Sequence, residues 1–395
     1  MYVFTPDDGF QYFFGYYDLQ PFDSSERFHL MHRVRFMDRL PAADDTAELG
    51  AVDLETGRFL KYAETTAWNF QQGAMLRYFG DDGHILYNVR DRGTPSGFAA
   101  EILEPKTGAK RRLPCPAADV SKDGTLLLSV NFSRIFDFRP GYGYAGVPDP
   151  RKDVRAPEDD GIFLTDTRTG ETRLIADYDR IRREFPQPPF SDGKLLVNHI
   201  TFNPAGDRFL FLLRNFPEPG QRGWKTQLIV SDTDGNMKKL TDYCLNSHYH
   251  WKNDREILIV SSLRTEDDGF SLVLIDSETG EAVRLPDPNP NWDIHCLYSP
   301  DRRLIVGDSY PGGSRGATRS LWLIDTERNV MTEPVRVDTV IPPVVDIRCD
   351  LHARWSPSGR LLSFDSTHSG RRTSVLVTAE ELLGHDGPPM TLPVR

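Results

Sequence analysis

Short apolar runs separated by polar turns recur along the whole chain, and they predict strands rather than helices. A typical run is Leu361-Leu-Ser-Phe364, and most are four to six residues long and rich in Val, Ile, Leu and Phe. Pro, Gly, Asp and Ser bound the runs, as expected for strand ends. Apolar residues at the helical spacing of three and four are almost absent. The chain is therefore predicted to be all-β.

The apolar runs belong to one repeated unit that begins with an aromatic residue and a polar turn. Clear copies start at Phe202-Asn-Pro-Ala-Gly206, Tyr298-Ser-Pro-Asp301 and Trp355-Ser-Pro-Ser-Gly359, and Trp251-Lys-Asn-Asp254 is a shortened copy. Weaker copies centre on residues 22–26, 79–83 and 120–124. A second turn recurs later in the unit, as at Asp276-Ser-Glu-Thr-Gly280, and its Asp, Thr and Gly are typical of hairpins.

Seven such units, with a period of about 50 residues, predict a seven-bladed β-propeller. A β-helix would repeat over fewer residues, and a pair of β-sandwiches would not repeat the same turn chemistry. We expect one domain over residues 1–395, with blades near residues 11–62, 63–112, 113–176, 194–242, 243–286, 287–334 and 345–395. Either residues 2–5 or residues 390–394 complete the last blade, and the sequence leaves this open.

The composition limits the classes of partner that the protein is expected to have. Only 38% of the residues are apolar, and no apolar stretch is long enough to span a membrane, so we expect no membrane partner. The net charge of -11 argues against nucleic acid. The first residues show no basic and apolar signal-peptide pattern, which predicts a cytoplasmic protein. The four cysteines have no paired spacing and are predicted to be free thiols.

Four histidines occupy the same place in four consecutive units. Each lies three residues before the aromatic that opens the unit: His199, His248, His295 and His352. This position begins the innermost strand of a blade, beside the central channel. A single histidine there would more often stabilise a neighbouring strand, but four that converge at one channel mouth favour a site. They are suited to binding a divalent metal or to acid–base chemistry.

Arginines provide a second, independent signal on the same face. The loops between the second and third strands of each blade share that face with the histidines, and every inferred loop contains arginine. These residues are Arg35, Arg39, Arg90, Arg92, Arg134, Arg139, Arg214, Arg222, Arg264, Arg315, Arg371 and Arg372. Guanidinium groups bind carboxylates in bidentate fashion, so the pattern predicts an anionic ligand. Arginine also covers loop surfaces without any such role.

The third of these loops is long and runs from Asn131 towards Asp160. It contains Arg134, Tyr142 and Tyr144, which are suited to binding a sugar ring and its acid group. A rigid aromatic cover with no chemistry is the alternative. Gln72 lies near the equivalent histidine position in the second blade. The residues expected to bind substrate are Arg90, Arg92, Arg214, Arg315, Arg348, Tyr142 and Gln72.

The copies at residues 202, 298 and 355 look like the repeats of TolB-type propellers. The blades that begin with a histidine most resemble those of the oligogalacturonate lyases. Ulvan lyases are more distant propeller relatives. That resemblance implies a seven-bladed fold, β-elimination on a uronate-containing sugar, and a divalent metal held by three histidines and a glutamine. His295 matches a ligand at a blade start, and His352 matches the last histidine of a Gln-x-x-His-x-His stretch. In this chain the glutamine of that stretch is Ile347 and its first histidine is Asp350.

The resemblance implies roles for individual residues. His295, His352 and Asp350 would bind the metal, manganese or calcium. That metal, or an arginine, would neutralise the carboxylate of an acidic oligosaccharide. His199 or His248 would remove the proton, Tyr144 would protonate the leaving oxygen, and Arg134 would assist.

Two other functions remain open on the sequence alone. The propeller would bind an anionic glycan or peptide without turnover, as in TolB-like proteins. A structural zinc is the second alternative, because Cys244, Cys296 and Cys349 lie close in sequence to the histidines and mixed Cys/His sites prefer zinc.

Overall fold

The computed structural model describes residues 1–217, 226–263, 268–311, 316–385 and 387–393. In these ranges 28 strands form seven four-stranded antiparallel sheets. Each sheet is one blade of a propeller, so the predicted all-β, seven-bladed fold is confirmed. In each blade the strand that directly follows the connector from the preceding blade is innermost, beside the central channel.

The first three blades follow the order of the chain from inner to outer strand. Blade one contains β2 (Gln11–Phe13), β3 (Phe28–Val34), β4 (Ala47–Asp53) and β5 (Arg58–Thr65). Blade two contains β6 (Arg77–Phe79), β7 (Asp81–Arg90), β8 (Phe98–Leu103) and β9 (Lys110–Leu113). Blade three contains β10 (Asp119–Val120), β11 (Leu126–Ser129), β12 (Gly161–Asp166) and β13 (Thr172–Asp177).

The next three blades repeat this order. Blade four contains β14 (Leu195–Phe202), β15 (Arg208–Asn215), β16 (Thr226–Asp232) and β17 (Met237–Lys239). Blade five contains β18 (Asn246–Trp251), β19 (Glu256–Ser261), β20 (Ser271–Asp276) and β21 (Ala282–Arg284). Blade six contains β22 (Leu297–Tyr298), β23 (Leu304–Asp308), β24 (Thr318–Asp325) and β25 (Val330–Asp338).

Blade seven joins the two ends of the chain. Its three inner strands are β26 (Arg354–Trp355), β27 (Leu361–Ser366) and β28 (Thr373–Thr378), and its outer strand is β1 (Tyr2–Val3). Tyr2 pairs with Leu376, and the amide of Phe4 extends the pairing by donating to Ser374 O at 3.1 Å. The N-terminal segment therefore completes the ring, which settles the question that the sequence left open.

Within the described residues three short α-helices flank the blades: α1 (Phe132–Phe138), α2 (Tyr178–Glu184) and α3 (Ala379–Leu383). The side chain of Asn131 caps α1 by accepting hydrogen bonds from the amides of Ser133 and Arg134. No helix in the described ranges has the length and apolar character that crossing a membrane would require. The site-bearing features are therefore the inner strands and the connectors that precede them.

Candidate functional site

The four blade-start histidines converge, as the repeat register predicts. The ring centroids of His248 and His295 lie 3.9 Å apart, and those of His295 and His352 lie 4.3 Å apart. Tyr16 links the fourth ring to this group, because it stacks on His199 at 5.0 Å and contacts His352 edge-on at 5.3 Å. One buried cluster of imidazoles therefore occupies the mouth of the channel.

Local backbone irregularities turn these rings inward. His199 and His352 have φ angles of +49° and +44°, a left-handed conformation that non-glycine residues adopt rarely. The pairing of β14 with β15 shifts across His199, and the pairing of β18 with β19 shifts across His248. Such outliers persist where surrounding contacts fix them, and they are concentrated at functional sites.

Asp308, the last residue of β23, binds the ring of His295 and the backbone of His352. Its Oδ1 accepts a hydrogen bond from His295 Nδ1 at 2.6 Å, and its Oδ2 accepts one from the amide of His352 at 3.0 Å. The Nδ1 of His352 donates to Gly15 O at 2.7 Å. Both rings therefore use Nδ1 for these hydrogen bonds, which leaves the two Nε2 atoms as potential ligand atoms, although the Tyr310 hydroxyl lies 3.4 Å from His295 Nε2. Burial would raise the pKa of Asp308, but the imidazoles of His295 and His352 keep it below its usual value.

Asp350 completes a compact group of ligand atoms with these histidines. One ligand atom each from His295, Asp350 and His352 lies within 4.8 Å of the others, and all three residues are buried. His352 Nε2 is buried without a hydrogen-bond partner and lies 3.9 Å from Asp350 Oδ2. Buried polar atoms are normally satisfied, so this pair is suited to a cation between them.

Two guanidinium groups also contact Asp350. Arg319 Nη1 lies 2.9 Å from its Oδ1, and Arg348 Nη2 lies 2.8 Å from its Oδ2. Burial would raise the pKa of Asp350, but Arg348 and Arg319 hold it well below its usual value, so the carboxylate is charged. The donor set of two imidazoles and one carboxylate fits a divalent cation with open coordination positions. The nearby positive charges weaken that affinity.

His248 differs from His295 and His352 because its carboxylate partner, Asp293, faces a cavity. Its Nδ1 donates to Asp293 Oδ1 at 3.0 Å, and Ser247 Oγ donates to Asp293 Oδ2 at 2.9 Å. Burial lowers the pKa of His248, and the charge of Asp293 partly offsets that effect. A neutral imidazole held by a carboxylate at Nδ1 is arranged to accept a proton at Nε2.

His199 is the second candidate for proton transfer, and its environment is less suited to that role. Its Nδ1 is buried without a hydrogen-bond partner. Burial lowers its pKa well below the usual value, and Arg214 lowers it further. His199 is therefore neutral at physiological pH.

A cavity of about 390 Å³ opens above the cluster. His199, His248 and Asp293 line it together with three guanidinium-bearing side chains, Arg139, Arg214 and Arg348. Tyr142 and Tyr310 add two hydroxyl groups to the lining. The cavity is large enough for a small oligosaccharide portion, and its cationic lining favours an anionic ligand.

Several predicted substrate-binding residues are brought to this cavity. Arg214 and Arg348 line it, and Arg348 Nη2 donates to Tyr142 OH at 3.0 Å. Burial lowers the pKa of Arg214 to about 10, so it stays charged at neutral pH. Gln72 lies deeper, where it lines a space of about 20 Å³ with His199 and Asp18.

The structure does not bring Arg134 and Tyr144 to the cavity. Arg134 is fully buried and donates to Leu195 O and Arg155 O, both at 2.8 Å. Tyr144 is also fully buried, stacks on Phe132 at 4.4 Å and accepts a hydrogen bond from Asn88 at 2.9 Å. The structure contradicts the catalytic roles predicted for them, because both hold the long loop against the blades, as in the rigid-cover alternative.

The remaining predicted arginines lie elsewhere. Arg90 donates to Ala145 O at 2.8 Å and so anchors the same long loop, and Arg92 is exposed on the connection from β7 to β8. Neither lines the cavity. Arg222, Arg264 and Arg315 lie outside the described residues.

The cysteine sulfurs take no part in the group of ligand atoms. In the described ranges that group contains only histidine and aspartate. Cys296 Sγ donates to His248 O at 3.6 Å, and Cys349 Sγ donates to Asp350 O at 3.8 Å. The cysteines are free thiols, and three of them are buried. The arrangement does not support the mixed Cys/His zinc site.

Sequence reasoning missed the residues that orient and neutralise the cluster. Asp308, Asp293, Arg319 and Tyr310 carry no motif and come from blade six and the connector that leads into it. One signal was present for two of them. Asp308 ends the second strand of its blade and Tyr310 follows it closely, and that strand ends on the face where the histidines lie.

Comparison with known proteins places the fold among solved propellers. No protein-family model and no curated protein sequence matches the chain. An oligogalacturonate lyase solved in complex with manganese matches with a TM-score of 0.69 at 17% identity, covering 96% of this chain and 93% of that one. An oligogalacturonate lyase from Vibrio parahaemolyticus matches with a TM-score of 0.68 at 14% identity, covering 95% and 92%.

A propeller from a different class of protein also matches. The β-propeller domain of the Trilobed protease from Pyrococcus furiosus gives a TM-score of 0.52 at 10% identity, covering 93% of this chain and 97% of that one. At such identities the likeness concerns the fold. The chain is a seven-bladed β-propeller whose fold is similar to that of oligogalacturonate lyases.

Proposed function

We propose that the protein is a lyase that cleaves a uronate-containing oligosaccharide by β-elimination, assisted by a divalent metal. The observation that carries the proposal is the convergence of His248, His295, His352 and Asp350 beneath a cavity lined by arginine. The fold likeness to an oligogalacturonate lyase in complex with manganese supports it.

The chain's own residues supply the main steps of such a reaction. Arg139, Arg214 and Arg348 attract the substrate carboxylate and orient it in the cavity. A metal held by His295, His352 and Asp350 would supply positive charge to the carboxylate and so acidify the adjacent C–H bond. Manganese fits this mixture of nitrogen and oxygen ligands, with calcium as an alternative for a site richer in oxygen.

Proton transfer is assigned to His248, supported by Asp293. Its Nδ1 is held by the carboxylate, which leaves Nε2 to take the proton from the carbon next to the substrate carboxylate. Tyr310 is the proposed donor to the leaving oxygen in place of Tyr144. It lines the cavity, and burial raises its pKa well above the usual value, so its hydroxyl keeps its proton at neutral pH.

The second candidate is a propeller that binds an acidic glycan without turnover. The two guanidinium groups on Asp350 favour it, because they neutralise the carboxylate that would otherwise attract a metal. In that case the cavity would bind a uronate, but no product with a new double bond would form.

An assay for the unsaturated product separates the two. Oligomers of galacturonate, glucuronan and ulvan are incubated with the protein and manganese, and ultraviolet absorbance is followed. The lyase predicts a rise on at least one substrate. Binding of a uronate oligomer without any rise on the three substrates would favour the second candidate.

A further inference from the structure

The cavity has an apolar component that a purely polar sugar would not use. Leu245, Phe270 and Val345 line it together with the arginines and histidines. Val345 is 65% exposed, although valine is among the residues most often buried. The cavity is therefore amphipathic, with cationic and apolar side chains around one space.

Val345 stands on a segment that is firmly anchored. It begins a short 3₁₀ helix, Val345–Ile347, and its carbonyl accepts hydrogen bonds from the amide of Arg348 at 3.1 Å and from Arg348 Nη1 at 3.3 Å. The next residue, Asp346, accepts from Arg139 Nε at 3.0 Å and from the amide of Gly141 at 3.2 Å. The exposure of Val345 is thus a fixed feature of the cavity wall.

The same contacts fix the distance between the apolar and the cationic parts. Arg139 and Arg348 both line the cavity, and each is bonded to the short helix that presents Val345. A ligand whose carboxylate contacts these guanidinium groups can therefore contact Val345 with another part of the same molecule. Phe270 and Leu245 extend the apolar contribution from blade five.

We propose that the preferred ligand is a uronate that carries an apolar group, such as an aryl or acyl substituent, on the sugar or at its reducing end. This inference rests on the proposed function, because it assumes that the cavity takes a uronate. Burying an apolar substituent against these three side chains adds to the binding free energy in proportion to the area removed from water.

Calorimetry with three probes tests the inference without requiring turnover. Glucuronic acid carries only the carboxylate, and 1-naphthyl glucoside carries only the apolar group. The third probe, 1-naphthyl glucuronide, carries both. We expect naphthyl glucuronide to bind about ten- to fiftyfold more tightly than glucuronic acid. Val345→Asn should weaken naphthyl glucuronide by about fivefold and leave glucuronic acid unchanged.

Ile341→Asn is the matched control. Ile341 is 58% exposed, lies on the same connector and is not part of the cavity lining, so its replacement should change no affinity. Equal affinities for glucuronic acid and naphthyl glucuronide, or an equal effect of the two substitutions, would overturn the inference and leave the proposed function intact. Equal binding of naphthyl glucoside and naphthyl glucuronide, or no binding of any probe, would contradict the proposed function as well.

Discussion

Two histidine–aspartate pairs lie side by side in this site, and their surroundings give them different tasks. His295 and Asp308 are both buried, so their contact at 2.6 Å fixes the orientation of the His295 ring towards Asp350 and His352. His248 and Asp293 line the cavity, so their contact at 3.0 Å leaves a ring that can meet substrate. In the proposed function the same residue types therefore have two roles, a metal ligand where the pair is buried and a base where it lines the cavity.

The proposed base can be tested by substitution. His248→Ala should lower kcat/KM by about 100-fold or more, because no other neutral imidazole in the cavity has a carboxylate at Nδ1 in the described residues. Asp293→Asn should lower it by about tenfold, since the ring stays but loses its orientation. Initial rates of unsaturated-product formation measure both effects.

His385→Ala provides the control for this series. His385 lies on the C-terminal segment and does not line the cavity, so its loss should leave the rate unchanged. A rate for His248→Ala equal to that of the parent protein would remove this residue from the mechanism.

Metal binding is the second test at the scale of residues. Titration with manganese chloride should show one site, and His352→Ala should weaken it by about tenfold or more, because one of three close ligand atoms is removed. Cys349→Ala should not change the affinity, since its sulfur donates to the backbone carbonyl of Asp350 and is not one of the ligand atoms. A larger loss with Cys349→Ala than with His352→Ala would restore the mixed Cys/His alternative.

The sequence located the histidines because the repeat fixes their register. Each lies three residues before an aromatic, so one alignment places all four at the same channel mouth. It failed for Arg134 and Tyr144 because their loop folds inward, and burial depends on packing that no local pattern encodes. Asp308 and Arg319 were missed for the same reason: each reaches the cluster through a tertiary contact only.

At the scale of elements, the closure of the ring depends on a very short strand. β1 contributes only two paired residues, so Phe4 supplies much of its attachment. Phe4 is buried and packs against His29 with ring centroids 4.8 Å apart. The competing C-terminal segment is instead held against blade six, where Met390 bridges to Val335. The two terminal segments are both short and apolar, so the sequence alone did not show which of them completes the last blade.

Replacement of Phe4 tests this closure. Phe4→Ala should lower the free energy of unfolding by about 3 kcal/mol, because a buried aromatic side chain is removed from the junction between the last and first blades. Tyr2→Ala is the control within the same strand. Tyr2 is 51% exposed, so its loss should cost less than about 1 kcal/mol.

Urea unfolding followed by tryptophan fluorescence measures both variants. Similar small effects of the two substitutions would mean that β1 contributes little to the ring. In that case the contacts between blades, rather than the closing strand, would hold the ends together.

The whole molecule has a second feature along its axis, at the opposite end of the channel. A cavity of about 390 Å³ opens there, lined in part by Asp18, Asp119 and Arg77. Asp18 Oδ2 accepts a hydrogen bond from Thr201 Oγ1 at 3.2 Å. Burial, followed by the charge of Asp119, raises the pKa of Asp18 to about 7.

This raised pKa predicts a pH-dependent stability. The folded state holds the Asp18 proton more tightly than the unfolded state, so stability is full below the unfolded pKa and falls as pH rises towards about 7. Asp18→Asn removes that loss. The free energy of unfolding of Asp18→Asn relative to the parent protein should therefore rise by on the order of 1–2 kcal/mol between pH 4 and pH 8, a figure reduced for partial exposure.

Urea unfolding at several pH values gives this difference. Lys122→Gln is the control, because it changes an exposed charge in the same cavity. Asn203→Ala is not suitable, because the side chain of Asn203 donates hydrogen bonds to Asp207 and to Asp254 O. A stability difference for Asp18→Asn that stays constant over the pH range would contradict the raised pKa.

Dependence of the reaction on a metal distinguishes a lyase site at the histidine cluster from a site that only binds a uronate. Unsaturated-product formation is followed on the uronate oligomers with protein treated with a chelator, and again after manganese is restored. If the cluster is a metal-assisted lyase site, absorbance stays flat after chelation and rises once manganese is present. An unchanged rate after chelation, or no absorbance on any uronate with manganese present, would contradict it.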